Sequence, residues 1–494
     1  MNNDLTFSRP LATAMRLGKD ALDKHRFLEK KVLLTGETEI LSTENGKNCF
    51  IGSMLLLFRI CRNLSILLPA ECESLLNKSK LILDEKKYPS DIQFVKGKIE
   101  FKDYDAILNI GTRARPDLPW TVINSNGWLI RISSGIHEIS GVCDQSNPIA
   151  TLGAASLGVS EIFKRLIKLK EIRGRLLESL TFSLGSYTSD ETDYGPPLPS
   201  SIPTDMLLVG AGAIGNGIIY LLDLLPLKGR VLIVDSQKFQ TENLGTCLLI
   251  GSSAIDTEKA FFAEKYLSKK LIVKGYPEDI QEFSKRLGRE IPYPKLIING
   301  LDNIDARHAV QDFWPDIIID GAIGDFMCQA SRHPWGEDVA CLRCLFQNKV
   351  ELADEVASKA TGLRIDRVKN ELEQVTEDDV KYAPVYRQDW LRERIGKQIC
   401  SVVQEGVAQK ISKEKQNEGF EPSVPFVACF SASMVVSELV KSVLKFPTPL
   451  EPRFQFDILR GPMKGEKFPQ QRKRDCICYT RKYNIDKFRS KQYY

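Results

Sequence analysis

The chain has 494 residues, 43% of them apolar and 27% charged, and a formal net charge of +4. That length holds roughly two to four domains with more than one buried core, and the near-balanced charge argues against a nucleic-acid partner. No apolar run reaches the roughly 20 residues that cross a bilayer, and the opening stretch, with Asn3, Asp4 and Arg9, lacks the apolar core of a signal peptide. The expectation is a cytoplasmic protein with no membrane contact, whose twelve cysteines serve as thiols, metal ligands or nucleophiles rather than disulfides.

In chain order, residues 19–31 read as a polar-faced helix, and 48–57 and 63–69 as apolar runs with no sharp boundary between strand and helix. Ala106 to Ile110, Thr121 to Ile123 and Trp128 to Ile132 read as strands. A helix follows over 148–167, where Ala150, Ala154, Ala155 and Gly158 allow close backbone packing. Residues 171–203 are read as a linker, because from Gly185 on they are rich in Ser, Gly, Pro, Thr and Asp.

Residues 206–235 are the centre of the sequence. Met206 to Val209 is a short buried strand, Gly210, Gly212 and Gly215 form Gly-x-Gly-x-x-Gly, a helix runs from about Ala213, and a strand from Arg230 ends on Asp235. This is the order of a dinucleotide or mononucleotide cradle: glycines for the turn and for phosphate approach, a helix N-terminus for the phosphate charge, an acid for ribose hydroxyls. The glycines alone do not separate NAD from ATP. Strands and helices then alternate to Asp320, which predicts a mostly parallel sheet with helices on both faces. Asp235, Asp302 and Asp320 are expected at strand ends, forming one rim with the glycines.

The helix at 148–167 recurs 277 residues later. Pro148 matches Pro425, Ala155-Ser156 matches Ala432-Ser433, Val159-Ser160-Glu161 matches Val436-Ser437-Glu438, and Lys164 matches Lys441. Ile107 to Gly111 likewise resembles Ile297 to Gly300. This points to an internal duplication whose first copy lacks the glycine motif, with only Gly52 near the expected start.

Two cysteine pairs stand out, Cys341 with Cys344 and Cys476 with Cys478. Four thiolates suit a structural, tetrahedral zinc; a redox pair at 341 and 344, or free thiols, are the alternatives. Cys400 follows a basic stretch containing Arg394 and Lys397 and is the leading nucleophile candidate, against an ordinary half-buried thiol. Cys429 reads as core, and Cys247 and Cys328 as weaker nucleophile candidates. The basic run from Lys464 to Lys491 reads as a solvated tail, 481–494.

Residues 204–480 resemble the E1-like, ThiF and MoeB, adenylating family. The resemblance rests on the glycine loop, Asp235, Asn243-Leu244, Lys259, Asp302-Asn303 with Arg307, the four paired cysteines, and Cys400 between the first pair and the final helix. It implies duplicated Rossmann-like adenylation domains, the first (1–170) inactive and the second (204–480) active, with a catalytic-cysteine segment at about 348–420. It implies ATP on Gly210, Gly212, Gly215, Asp235 and Asn243, phosphate contacts from Lys259 and Arg307, Mg2+ at Asp302, structural Zn2+ on the cysteines, and Cys400 as the thioester-forming residue. The family places Arg three residues after the Asn; here that residue is Thr246, so a basic residue from the first half or from a partner is expected to replace it. The two-half plan is similar to the E1-like component of bacterial Bil antiphage operons, which implies as partners a ubiquitin-like protein with small C-terminal residues and an E2-like protein, with self-association left open. A sulfur-carrier adenylyltransferase and a non-catalytic nucleotide-binding scaffold are the alternatives.

Overall fold

The computed structural model describes residues 7–18, 27–87, 91–170, 172–301, 303–346, 353–370, 372–406, 424–446 and 452–493. The chain divides into two compact units: one formed by Met1–Phe346 with Pro422–Tyr494, the other by Gln347–Glu421.

The larger unit contains two modules of one design. Helix α1 (Ser8–Gly18) precedes the first. The first module runs β1 (Lys31–Gly36), α2 (Glu44–Ile60), β2 (Asn63–Ile66), α3 (Glu73–Lys86), β3 (Asp91–Phe94), β4 (Ala106–Ile110), β5 (Trp120–Asn126), β6 (Leu129–Ser133), α4 (Pro148–Leu166) and β7 (Leu180–Ser183). Its sheet has the order β3-β2-β1-β4-β5-β6-β7. The second runs β8 (Ile202–Val209), α5 (Ala213–Leu224), β9 (Leu227–Val234), α6 (Lys259–Leu267), β10 (Ile272–Tyr276), β11 (Leu296–Asn299), α7 (Ile304–Gln311), β12 (Ile317–Gly324), β13 (Met327–Pro334), α8 (Pro425–Leu444), β14 (Arg453–Asp457), β15 (Glu466–Phe468) and α9 (Lys482–Gln492). Its sheet order, β10-β9-β8-β11-β12-β13-β14-β15, repeats the first and adds one strand. In both, the first five strands are parallel and the sixth and seventh antiparallel. The fold is therefore α/β with duplicated Rossmann-like sheets.

The duplicated helices α4 and α8 hold the same place, between the sixth and seventh strands, and pack on each other. Both are buried along nearly their whole length. Each ends in an enclosed Glu–Lys pair, Glu161–Lys164 and Glu438–Lys441. The pairs are reciprocal: Lys164 Nζ donates to the Leu459 carbonyl (3.1 Å) just past the seventh strand of the other module, and Lys441 Nζ to the Gly185 carbonyl (3.0 Å) just past β7. Buried charges are tolerated here because each is paired and hydrogen-bonded. By length and composition, α8 is apolar enough to cross a bilayer, which corrects the reading that no such run exists; 83% of its apolar window is buried inside the molecule.

Two boundaries and one glycine differ from the sequence reading. The expected linker carries β7, which pairs with β6 and completes the first sheet; its Leu180 and Phe182 are buried. The expected tail is helix α9, whose Arg489 donates to the Trp314 carbonyl and to Asp316 (2.7 Å), while Tyr493 Oη donates to the Phe313 carbonyl (2.7 Å). Gly52 lies in mid-helix, against Ala155, where Gly217 of α5 lies against Ala432, so it is a helix-crossing glycine rather than a relic of the loop. The expected helix at 19–31 falls largely outside the described residues.

The smaller unit is helical. Ala353–Thr361, Glu377–Tyr382, Val385–Arg392 and a helix over 399–406 enclose a core that includes Leu363, Val375, Leu391, Ile399 and Val402.

Candidate functional site

The glycine loop sits where β8 leaves the centre of the second sheet, the point at which neighbouring connections diverge to opposite faces. Gly210 has φ +89, a conformation only glycine adopts without strain. A Cβ on Gly215 would stand 2.2 Å from the Gly210 carbonyl oxygen, so the third glycine lets the helix start directly against the turn. A Cβ on Gly212 would meet nothing within 4 Å. The middle glycine therefore opens a clear face at the N-terminus of α5, where free N–H groups favour an anion.

Asp235 has a role that the sequence did not indicate. Its Oδ2 accepts the Ala211 N–H (2.7 Å) and its Oδ1 the Gln237 N–H (2.8 Å), so the carboxylate braces the loop from beneath. Gln237 in turn accepts from Lys259 Nζ at 2.6 Å. Lys259, at the start of α6, is buried and lies over the Phe239 ring. Asn243 sits in the turn Thr241–Gly245, its Oδ1 accepting the Gln240 N–H (2.9 Å). Glycine loop, acid and lysine are thus one connected set. Helix α1 packs on the Asn243 turn. Thr246, which stands where the family has Arg, is buried.

Asp320, expected on the rim, and Arg307, expected on the phosphates, pair with each other. Asp320 lies within β12, fully enclosed and paired in register with Asn299 and Ser331, rather than at a strand end. It accepts from Asn299 Nδ2 (2.5 Å) and from Arg307 Nε (3.1 Å). Arg307 is buried, also donates to the Gly321 carbonyl, and stacks over Phe346 at 4.3 Å. The guanidinium expected on the phosphates is instead the counter-ion of a buried carboxylate, since an unpaired Asp320 inside the sheet would be costly. Asn303 caps α7 through the N–H groups of Asp305 and Ala306. Asp302 lies outside the described residues.

The four paired cysteines meet. Their Sγ atoms lie within 4.8 Å of one another, with Cys341–Cys344 and Cys341–Cys476 at 3.7 Å and Cys344–Cys478 at 3.5 Å. A tetrahedral zinc with about 2.3 Å bonds sets its sulfurs about 3.8 Å apart, so the donor set fits. The Lys473 N–H points at Cys344 Sγ (3.4 Å). Trp314, Ile485, Trp335 and Phe488 pack around the cluster, which joins the end of β13 to α9.

Cys400 lies in the first turn of the helix over 399–406 of the smaller unit and is half-buried. Its expected basic neighbours are engaged by an acid: Arg394 pairs with Glu405 (2.5 Å) and stacks on Trp390, and Lys397 lies 3.9 Å from Glu405. The competing cysteines are enclosed. Burial pushes the Cys247 and Cys328 thiols up and Cys429 to about 12, so all three are core thiols rather than nucleophiles.

Sequence reasoning missed Gln237, Asn216 and Arg59. The last two had a legible signal: each is a polar residue in an apolar helical run, Asn216 among Ile214, Ile218 and Ile219, Arg59 between Phe58 and Ile60.

The ThiF family model matches residues 203–479, more than half of the chain. The chain is 26% identical over 402 residues to the uncharacterized protein y4jF of Sinorhizobium fredii, spanning 75% of this chain and 76% of that protein. It is 23% identical over 187 residues to the bacterial E1-like protein BilD of a Collimonas species, spanning 37% of this chain and 40% of BilD. Among solved structures it is similar to E. coli MccB with ATP, at 14% identity and a TM-score of 0.36 over 56% of this chain and 67% of that one. With a matching model that runs from β8 through the cysteine cluster, this chain belongs to the ThiF family.

Proposed function

We propose that the protein adenylates the C-terminal carboxylate of a small protein at the expense of ATP. The observation that carries this is the connected set Ala211, Asp235, Gln237 and Lys259 beneath an open Gly212 face. The triphosphate lies at the N-terminus of α5, with Asn243 and Lys259 beside it. A carboxylate oxygen of the tail bonds to the α-phosphorus, the bond from that phosphorus to the bridging oxygen breaks, and pyrophosphate leaves with the electron pair. Lys259 offsets the charge that develops on the phosphate oxygens. Magnesium, which Asp302 would hold, offsets charge on the triphosphate when bound. The four cysteines hold zinc as a structural ion with no open position.

The fate of the acyl-adenylate separates two readings. In the first, the partner is a ubiquitin-like protein: the Cys400 sulfur attacks the acyl carbon, AMP leaves, the thiol proton goes to solvent, and the thioester passes to an E2-like thiol in antiphage defence. Similarity to BilD and the presence of Cys400 in a separate compact unit support it. In the second, a sulfur-carrier protein is adenylated and the chain stops there; family membership supports this reading more directly than it supports conjugation.

The test mixes the full chain with ATP, magnesium and a ubiquitin-like protein encoded beside it. Exchange of labelled pyrophosphate into ATP is expected. A reducible adduct lost in Cys400→Ala selects conjugation; exchange without an adduct selects sulfur-carrier chemistry. Absence of exchange with a tail that ends in glycine refutes adenylation.

A further inference from the structure

We propose that Arg59 and Asn216 are positioning residues through which the first module sets the glycine loop of the second. This rests on the adenylation reading for its effect on ATP, but not for the physical coupling itself. The link is a continuous chain of hydrogen bonds. Arg59, at the end of α2 and fully enclosed, donates from Nε to the Cys247 carbonyl (2.9 Å) and from Nη2 to the Ile250 carbonyl (2.7 Å). Its Nη1 donates to the Leu55 carbonyl of its own helix (2.6 Å), which fixes the fork. Lys86 at the end of α3 donates to the Leu249 carbonyl, and the Lys87 carbonyl accepts from Ser252 Oγ (2.6 Å). Residues 247–252 are therefore gripped from the first module at four successive places.

From that segment the chain continues into the loop. The Leu249 N–H donates to Asn216 Oδ1 (3.1 Å), and Asn216 Nδ2 donates to the Ala211 carbonyl (2.8 Å). The Ala211 N–H is the one held by Asp235. The Cys247 N–H also donates to the Asn243 carbonyl (2.8 Å), so the same segment holds the second phosphate-side turn. The side-chain chemistry is specific. A guanidinium fork spans two carbonyls at fixed angles, whereas a lysine supplies a point charge. Asn supplies a donor and an acceptor from one group; Asp lacks the donor, and Ala has neither. In an enclosed site each broken bond leaves a buried polar group unsatisfied, so the arrangement is sharply preferred. The module that lost its own glycine motif thus still contributes to the shape of the other's.

The experiment uses the full chain with Asn216→Ala, Arg59→Met, Arg59→Lys and the double variant, read by hydrogen–deuterium exchange of the peptide over residues 206–218 and by ATP–pyrophosphate exchange. Asn216→Ala and Arg59→Met are each expected to speed exchange at the loop about tenfold and to raise KM for ATP about tenfold with kcat changed less than about threefold. Arg59→Lys should recover part of both, and serves as the reporter if Arg59→Met does not fold. Residues of one network are non-additive, so the double variant should be little worse than the worse single. Loop exchange unchanged in folded Arg59→Lys and Arg59→Met, or fully additive effects, overturns the proposal. Faster loop exchange in a protein whose parent neither binds ATP nor exchanges pyrophosphate keeps the coupling and refutes the adenylation reading instead.

Discussion

The two modules share strand order and strand direction, yet differ at the first turn after the first strand. In the second, Gly210-Ala211-Gly212 leaves an open face at a helix N-terminus. In the first, the register places Gly36 and Glu37 at the equivalent points, since Thr35 pairs with Asn109 as Val209 pairs with Asn299. Glu37 fills the crevice. Its carboxylate accepts from Thr112 N–H (3.1 Å), Arg113 N–H (3.0 Å), Thr112 Oγ1 (2.9 Å) and Asn109 Nδ2 (3.0 Å). Burial works against its ionised form, but the hydrogen bonds from Arg113, Thr112 and Asn109 outweigh it and hold the pKa below the usual carboxylate value. The first module thus closes this crevice with an internal carboxylate held by the end of β4 and the loop after it, and not by the N–H groups of the short helix that Glu37 precedes. It also has a bare loop between β4 and β5 where the second has α7 and Arg307. One scaffold thus gives a closed structural module or an open candidate site through the residues of one turn.

The comparison breaks most completely at the cysteine cluster, which belongs to the second module alone. Chelation, or Cys344→Ser, is expected to release α9: exchange at residues 482–492 should rise by orders of magnitude, while α4 of the first module stays protected. Bound metal measured on the purified chain should fall with it, because folding energy of this size comes from metal ligation.

Gly215→Ala comes next. With a Cβ 2.2 Å from a backbone oxygen, the turn must open, at a cost of about 3 kcal/mol, and ATP binding should be lost. The helix-crossing glycines sharpen the contrast. A Cβ on Gly217 would stand 2.7 Å from that of Ala432, but on Gly52 3.4 Å from that of Ala155. Gly217→Ala should destabilise by about 1–3 kcal/mol, whereas Gly52→Ala should be neutral or stabilising by up to about 1 kcal/mol, since alanine favours the helix. Thermal unfolding of the two variants reads the difference.

Glu37→Gln tests the internal anion by its pH dependence. A lowered folded pKa means the stabilisation is present above the ordinary value of 4.5 and is lost as pH falls through the folded value. The variant should lose this part of the acid slope while nucleotide binding stays unchanged. A second pH effect concerns Lys86, at the contact with residues 249–252. Burial, aided by the charge of Arg59, lowers it to about 7 from 10.5. The cost of charging it is therefore full below about 7 and disappears as pH rises toward 10.5. Relative to Lys86→Met, the native chain should gain stability across that window.

Much of this was legible in the sequence because it is written in short-range patterns. The Gly-x-Gly-x-x-Gly turn, its flanking strands and Asp235 lie within 30 residues, and steric rules for glycine act locally. The 277-residue offset of α4 and α8 carried the duplication, because both helices face the same packing problem and keep the same small and charged residues. The cysteine pairs were legible as pairs, and tertiary structure brought them together. What the sequence did not carry was direction. It placed Arg307 and Asp320 in the right neighbourhood but not on each other, and it left β7 in a linker and α9 in a tail because their partners, β6 and the edge formed by Trp314, Asp316 and Trp335, are distant in sequence.

By itself, then, the sequence determined the class of fold, the glycine turn and the two cysteine pairs, since those follow from local backbone geometry and from side-chain type. Only the tertiary structure decided that Asp235 braces the loop, that Glu37 closes the first crevice, and that Arg59 and Asn216 join the modules. Each of those depends on which buried donor finds which acceptor, and in a close-packed interior that pairing is fixed by long-range packing rather than by neighbours along the chain.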